Sequence, residues 1–159
     1  LVVADELAVW LYGDRVAGID QERRRMRLEY SKDALDRYPL GTPLLSLSLP
    51  LTSKRYSHGV VRPFLDGLLP EGDSRRALAD DLELLASDTY GLIRALGRDC
   101  AGAIVIQPAD DPPPVQPTTL TAKRLNDAEI GELVANLRSA PLGVGGRVRI
   151  SLAGVQEKL

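Results

Sequence analysis

The chain has 159 residues, 44% of them hydrophobic and 26% charged, which is enough for one domain with a buried core. Its formal net charge of −2 excludes a strongly basic, phosphate-neutralising protein, so no direct nucleic-acid contact is expected, and the single cysteine, Cys100, excludes an internal disulfide. No apolar run is long enough for a signal-peptide core or a membrane span; the expected compartment is the cytoplasm, with no membrane partner.

From Glu6 to Tyr12, Leu7, Val9 and Leu11 alternate with Ala8, Trp10 and Tyr12, and a second strand runs from Arg15 to Ile19. Gly13-Asp14 between them predicts a two-residue hairpin turn of type II′, with glycine first. Met26, Leu28 and Tyr30 alternate with Arg25, Arg27 and Glu29 as a half-exposed strand. The basic cluster Arg23-Arg24-Arg25 with Arg27 reads as a solvated turn and exposed strand face rather than a DNA or RNA patch. Ser31 to Tyr38 predicts a short helical turn stopped by Pro39, and in Leu45 to Pro50 the leucines Leu45, Leu47 and Leu49 should face the core.

The period then lengthens to that of helices. Val60, Val61, Phe64, Leu65 and Leu68 share one face, with Pro63 either near the helix start or at a bend. Pro70-Glu-Gly72 breaks the chain, Asp73 or Ser74 can cap a second helix carrying Leu78, Leu82 and Leu85, and a third runs from about Thr89 to Leu96 with Gly97 as its stop. Ala103 to Gln107 predicts a further buried strand, followed by the Pro-rich loop 108–117. Asn126 with Glu129 forms a capping-box signature ahead of the apolar stripe Ile130, Leu133, Val134 and Leu137.

Few residues suggest chemistry on their own. His58 is the only histidine and lacks partners for a metal site, leaving a surface or helix-start role. Cys100 has no accompanying histidine and reads as a small core residue, while the pairs Asp80-Asp81 and Asp110-Asp111 read as solvated. Gly143-Val-Gly-Gly146 fails the kinase glycine-loop spacing at Val148. The last stretch, from Arg147 to Leu159, is different: strand-like alternation enters a turn where Gly154 allows close backbone approach and Lys158 adds a point charge. A phosphate ligand is chemically possible there, although Gln156-Glu157 before the lysine departs from the Walker pattern and a strand ending in a plain turn is the simpler reading.

Ser151-Leu-Ala-Gly-Val-Gln-Glu-Lys-Leu159 resembles the phosphate-loop segment of HipA-type serine/threonine kinases, the toxin halves of HipBA toxin–antitoxin modules. Leu45-Ser-Leu-Ser-Leu-Pro-Leu51, Phe64-Leu-Asp-Gly-Leu-Leu-Pro-Glu71 and Gly97-Arg-Asp-Cys-Ala-Gly-Ala103 are similar to that family in the same order. The resemblance implies an N-terminal piece of a larger kinase, consistent with a start at Leu1 rather than Met. The expected fold is α+β, an antiparallel sheet or partial barrel with a packed cluster of short helices. The expected organisation is an N-terminal subdomain over 1–107, a linker or loop over 108–119, and over 120–159 a helix with the start of the nucleotide-binding lobe.

By the same resemblance, Leu152, Ala153, Gly154, Val155, Gln156, Glu157 and Lys158 would wrap ATP phosphates, and Ser151 would be a site of autophosphorylation. ATP and Mg²⁺ are cofactors expected of the full-length protein and not of the fragment, which carries no catalytic residue or metal site and should be inactive alone. A DNA-binding antitoxin of the HipB type is the expected partner, and a protein serine or threonine, in a translation-related protein by analogy, the expected substrate. The alternative is a non-catalytic regulatory or antitoxin-like binding module acting on a separately encoded kinase.

Overall fold

The computed structural model describes residues 6–100, 103–114 and 125–136. Four strands, β1 (Glu6–Leu11), β2 (Asp14–Glu22), β3 (Arg25–Tyr30) and β4 (Ile104–Pro108), form an antiparallel sheet in the order β3-β2-β1-β4. Five α-helices accompany it: α1 (Lys32–Arg37), α2 (His58–Asp66), α3 (Gly72–Asp81), α4 (Thr89–Leu96) and α5 (Asp127–Asn136). The fold is α+β, and among the described residues the sheet is open, with β3 and β4 at its edges, rather than a barrel.

Both hairpins reverse through two residues at positive φ, the backbone twist that suits tightly paired strands. Leu11 pairs with Asp14, so the first turn is Tyr12-Gly13, at φ 52° and 89°, which corrects the expected Gly13-Asp14 turn by one residue. Glycine therefore stands second, as type I′ geometry favours, and Tyr12 carries the left-handed cost. In the second hairpin Glu22 pairs with Arg25, leaving Arg23 and Arg24 in the turn at φ 49° and 64°. Neither is glycine, and each such residue costs roughly 1–2 kcal/mol.

The register puts Leu7, Ile19 and Leu28 side by side, with Val9 between Ala17 and Ile106 on the same face. All six are fully buried. Helices α2 and α4 cover this face with Val61, Leu65, Leu92 and Ile93, and they also pack on each other. The opposite face presents Glu6, Asp20 and Arg27 across β1, β2 and β3, which is why β3 shows one buried and one exposed side.

Helix starts follow local chemistry where a suitable oxygen is available. The Ser31 hydroxyl accepts from the Ala34 N–H at 3.1 Å to start α1, and the Asp88 carboxylate accepts from the Gly91 N–H at 3.1 Å to start α4. The capping box opens α5 as predicted: Glu129 N–H donates to Asn126 Oδ1 and Asn126 N–H to Glu129 Oε2, both at 2.9 Å. The expected cap of α3 is corrected. The chain enters through left-handed Gly72, so the helix begins ahead of Asp73 and Ser74 with Glu71 at the cap position and no side-chain capping bond. Helix α2 begins five residues before Pro63, which therefore lies in its interior.

One further expectation changes, and the expected stop at Gly97 holds. Leu45 to Leu49 is not a strand: Leu49 N–H donates to the Ser46 carbonyl at 3.0 Å and Ser48 N–H to the Ser46 hydroxyl, closing a tight turn. Serine side chains compete with strand hydrogen bonding in this way. Leu47 is consequently turned out, at 89% exposed, while Leu49 and Leu51 enter the core. Gly97 does end α4, but at an ordinary right-handed φ of −63° leading into a 3₁₀ turn over Gly97–Asp99. Its requirement is steric, since a β-carbon there would lie 2.5 Å from the Ile106 carbonyl oxygen of β4.

Candidate functional site

The residues that the sequence nominates for phosphate binding, Leu152 to Lys158, lie outside the described residues, as do Ser151 and the glycines of 143–146. The three other stretches that carry the resemblance are described in whole or in large part, and they meet in the core. Leu49 and Leu51 of the first are buried, the Tyr30 hydroxyl donates to the Leu49 carbonyl, and the Tyr56 hydroxyl donates to the Pro50 carbonyl at 2.6 Å. Burial, with Tyr56 adding to it, pushes the Tyr30 phenol up to about 12, so it remains a donor at physiological pH. The third stretch seats Gly97 against β4 and buries Cys100 in the core. These motifs hold the fold together.

The second stretch supplies the most developed polar cluster, one that sequence spacing did not reveal. Asp66, at the end of α2, accepts from Arg75 on α3 at 2.8 Å and from the Thr89 hydroxyl on α4 at 2.7 Å. Arg75 also donates to Thr89 Oγ1 at 3.1 Å and to the Ala86 carbonyl at 2.7 Å, so one guanidinium ties three helices and a loop. No local pattern links positions 66, 75 and 89; only the folded chain brings them together. Burial alone would raise the Asp66 carboxyl, but bonds from Thr89 and Arg75 and the charges of Arg75 and Arg62 outweigh it and hold it below its ordinary value.

A carboxyl lowered on folding stabilises the fold above its unfolded pKa and stops doing so as pH falls through the folded one. This contribution should therefore be complete at neutral pH and fade below the ordinary value of 3.8. Asp66→Asn should cost roughly 1–3 kcal/mol at neutral pH, because the bonds lose their charge and Arg75 loses its counter-ion. Denaturant unfolding at pH 7 and pH 3 checks this: the difference between the two proteins should shrink at the lower pH.

The remaining candidates have structural surroundings. His58 is the first residue of α2, and its Nδ1 accepts from the Met26 N–H of β3 at 3.1 Å, which places the ring proton on Nε2. Cys100 is buried, and desolvation, with Asp99 adding to it, pushes its thiol up to about 12, far from a nucleophilic thiolate. Asp80, Asp81 and Asp110 are exposed, whereas Asp111 pairs with Arg98. Among the described residues no cluster of His, Cys, Asp or Glu could hold a metal, and no helix is long and apolar enough to cross a membrane.

Two surface grooves differ in their charge balance. One of about 500 Å³ lies over Gly18 between Glu6 and Glu29, and its arginines are matched: Arg15 pairs with Glu6 at 2.7 Å and Arg55 with Glu29 at 2.5 Å. The other, about 380 Å³, runs beside the second hairpin turn and is lined by Arg23, Arg25, Arg27, Arg55, Tyr56 and His58. Arg27 is held by Asp20 and Glu22 at 2.9 and 3.1 Å. Arg23, Arg24 and Arg25 have no ion-pair partner among the described residues.

Comparison with known proteins agrees with this architecture. Residues 7–107 match the family described as HipA N-terminal domain. The Sinorhizobium fredii protein named "Putative kinase Y4mE" is 34% identical over 158 residues, spanning 96% of this chain and 37% of its own length. The Shewanella oneidensis serine/threonine-protein kinase toxin HipA is 32% identical over 119 residues, spanning 72% of this chain and 26% of its own. In the solved complex of Shewanella oneidensis HipA, HipB and operator DNA, a chain of 25% identity superposes with a TM-score of 0.63, covering 94% of this chain and 34% of that one. The chain thus spans between about a quarter and 37% of these relatives' length. With the open four-stranded sheet and helices built from the matched residues, it belongs to the HipA N-terminal domain family.

Proposed function

We propose that the full-length protein is a HipA-like toxin kinase that transfers the γ-phosphoryl group of ATP to a protein serine or threonine, and that this chain supplies its phosphate loop and part of its antitoxin surface. The observation that carries the reading is the family match over 7–107 joined to an alignment with a kinase-named relative that takes in 96% of the chain, beyond the family model itself. On this reading 108–119 is a linker and 120–159 begins the nucleotide lobe. The donor set is suited to phosphate oxygens: amides around Gly154, where the backbone can approach closely, and the Lys158 ammonium as a point charge. ATP, bound with Mg²⁺, supplies the transferable phosphoryl group. The chain's own residues orient and neutralise it, and the first 107 residues give those elements a rigid support.

The Shewanella complex contains HipB and operator DNA, which supports assigning a HipB-type antitoxin as partner. Calorimetry on the full-length protein with ATP and Mg²⁺ tests the nucleotide assignment. Lys158→Ala should weaken binding roughly 10- to 100-fold, the worth of one hydrogen bond to a charged group, and Gly154→Val by at least as much. Ser151→Ala should remove self-phosphorylation at that position. Undiminished affinity in both loop variants would sink the assignment, and a full-length protein that binds no ATP but restrains a separate kinase would establish the regulatory alternative.

A further inference from the structure

We infer that the arginine-bearing β2–β3 turn and the groove beside it form a binding site for the phosphodiester backbone of duplex DNA. The inference rests on the HipB-type antitoxin proposed above as partner, and extends it to an assembly on duplex DNA such as the Shewanella complex contains. Three observations carry it. Arg23, Arg24 and Arg25 occupy the end of a two-stranded ribbon, exposed and with no carboxylate partner among the described residues, whereas Arg15 and Arg27 on the sheet, Arg37 on α1 and Arg55 in the loop before α2 are paired. The groove next to them, about 380 Å³, is lined also by Arg27 and Arg55, both engaged by carboxylates, by Glu22 and by His58, so that Arg23 and Arg25 are the cations facing it without an ion-pair partner among the described residues. Finally, Arg23 and Arg24 hold left-handed backbone that Asn-Gly would adopt at less cost, so the turn sacrifices stability to display two guanidiniums.

The chemistry favours a nucleic acid over an acidic protein segment. Phosphate backbones are held by charge and hydrogen-bond donors alone, and a two-stranded ribbon fits the major groove. A peptide partner would need apolar anchors, but Met26 at the groove floor is buried and Tyr56 is engaged with Pro50. The bulk charge of −2 conceals this patch because the acidic residues are spread elsewhere over the chain. Guanidinium forks bind phosphate without reading sequence, so the contact adds affinity and orientation rather than specificity.

The test uses the full-length protein with its antitoxin, on an operator duplex and on an unrelated duplex of equal length, by fluorescence anisotropy across a salt series. The variant combines Arg23→Asn, Arg24→Gly and Arg25→Ser. The first two install the residues that the turn geometry prefers, so the fold is kept while the charges are removed. The slope of log affinity against log salt should become shallower by about two to three, at roughly 0.9 per lost phosphate contact, with equal losses on both duplexes. An unchanged slope in a complex that still assembles overturns the inference. So does a loss of antitoxin binding measured without DNA, which would make the turn a protein contact. If the wild-type protein captures no antitoxin, the assembly proposal fails, and the same variant series on the full-length protein alone decides the DNA contact: a charge-dependent slope supports it and no binding refutes it.

Discussion

Gly97→Val should destabilise the domain by about 3 kcal/mol or more, a large fraction of the roughly 5–15 kcal/mol that holds a domain folded. The added β-carbon would meet the Ile106 carbonyl oxygen at 2.5 Å and its β-carbon at 2.9 Å. The first of these contacts is backbone within β4, which also pairs with β1, so relief requires moving a strand or lifting the end of α4. Gly18 is an instructive contrast. A β-carbon there would come within 2.3 Å of Glu6 Oε1, yet that atom ends an exposed, flexible side chain. Gly18→Ala should cost less than about 1 kcal/mol, since it displaces only a surface ion pair. Chemical denaturation of the two variants checks the contrast, and equal losses would contradict it.

The second large effect concerns Leu28. It is fully buried at the centre of β3, beside Ile19, and its backbone exchanges hydrogen bonds with Tyr56 at 3.2 and 2.8 Å. Helix α2 packs on this strand, so truncation opens a cavity between sheet and helix that neither can readily close. Leu28→Ala should cost about 2–5 kcal/mol. Leu47→Ala, at a leucine 89% exposed, should be nearly neutral. The same pattern-based reasoning would have placed both leucines in the core, so measuring the pair separates alternation in sequence from burial in the fold.

That pair shows where the sequence was readable. Period-two alternation identified β1 to β3 because their hydrogen bonds are satisfied by neighbouring strands, leaving side-chain burial as the deciding term. The Ser31 and Asn126 starts were readable because a cap is a local interaction within four residues. Leu45 to Leu49 misled because serine hydroxyls within the segment satisfied its backbone and bent it away from any strand partner. The first turn was displaced by one residue because either side of Gly13 can accommodate a positive φ, and only the Leu11–Asp14 pairing decides between them. The cluster of Asp66, Arg75 and Thr89 had no signature at all, since its members meet only when three helices pack.

The functional site divides along the same line. Family motifs in the first hundred residues proved to be structural: Leu49, Gly97 and Asp66 fix turns, close packing and helix junctions. Chemistry is assigned to the terminal Ser151–Lys158 stretch by residue type and resemblance, and that assignment is a proposal about the full-length protein. The basic turn has the reverse history. Its residues were visible as a cluster, but the lack of ion-pair partners among the described residues and the left-handed backbone that suggest a role emerged only in three dimensions.

The most direct measurement is the location of bound nucleotide in the full-length protein, by a crystal structure with a non-hydrolysable ATP analogue and Mg²⁺. The account predicts phosphate oxygens within hydrogen-bond distance of the backbone amides of 152–158, with the Lys158 ammonium facing the same oxygens or a carboxylate beside them. Nucleotide bound elsewhere, with this segment making no contact to it, would contradict the account.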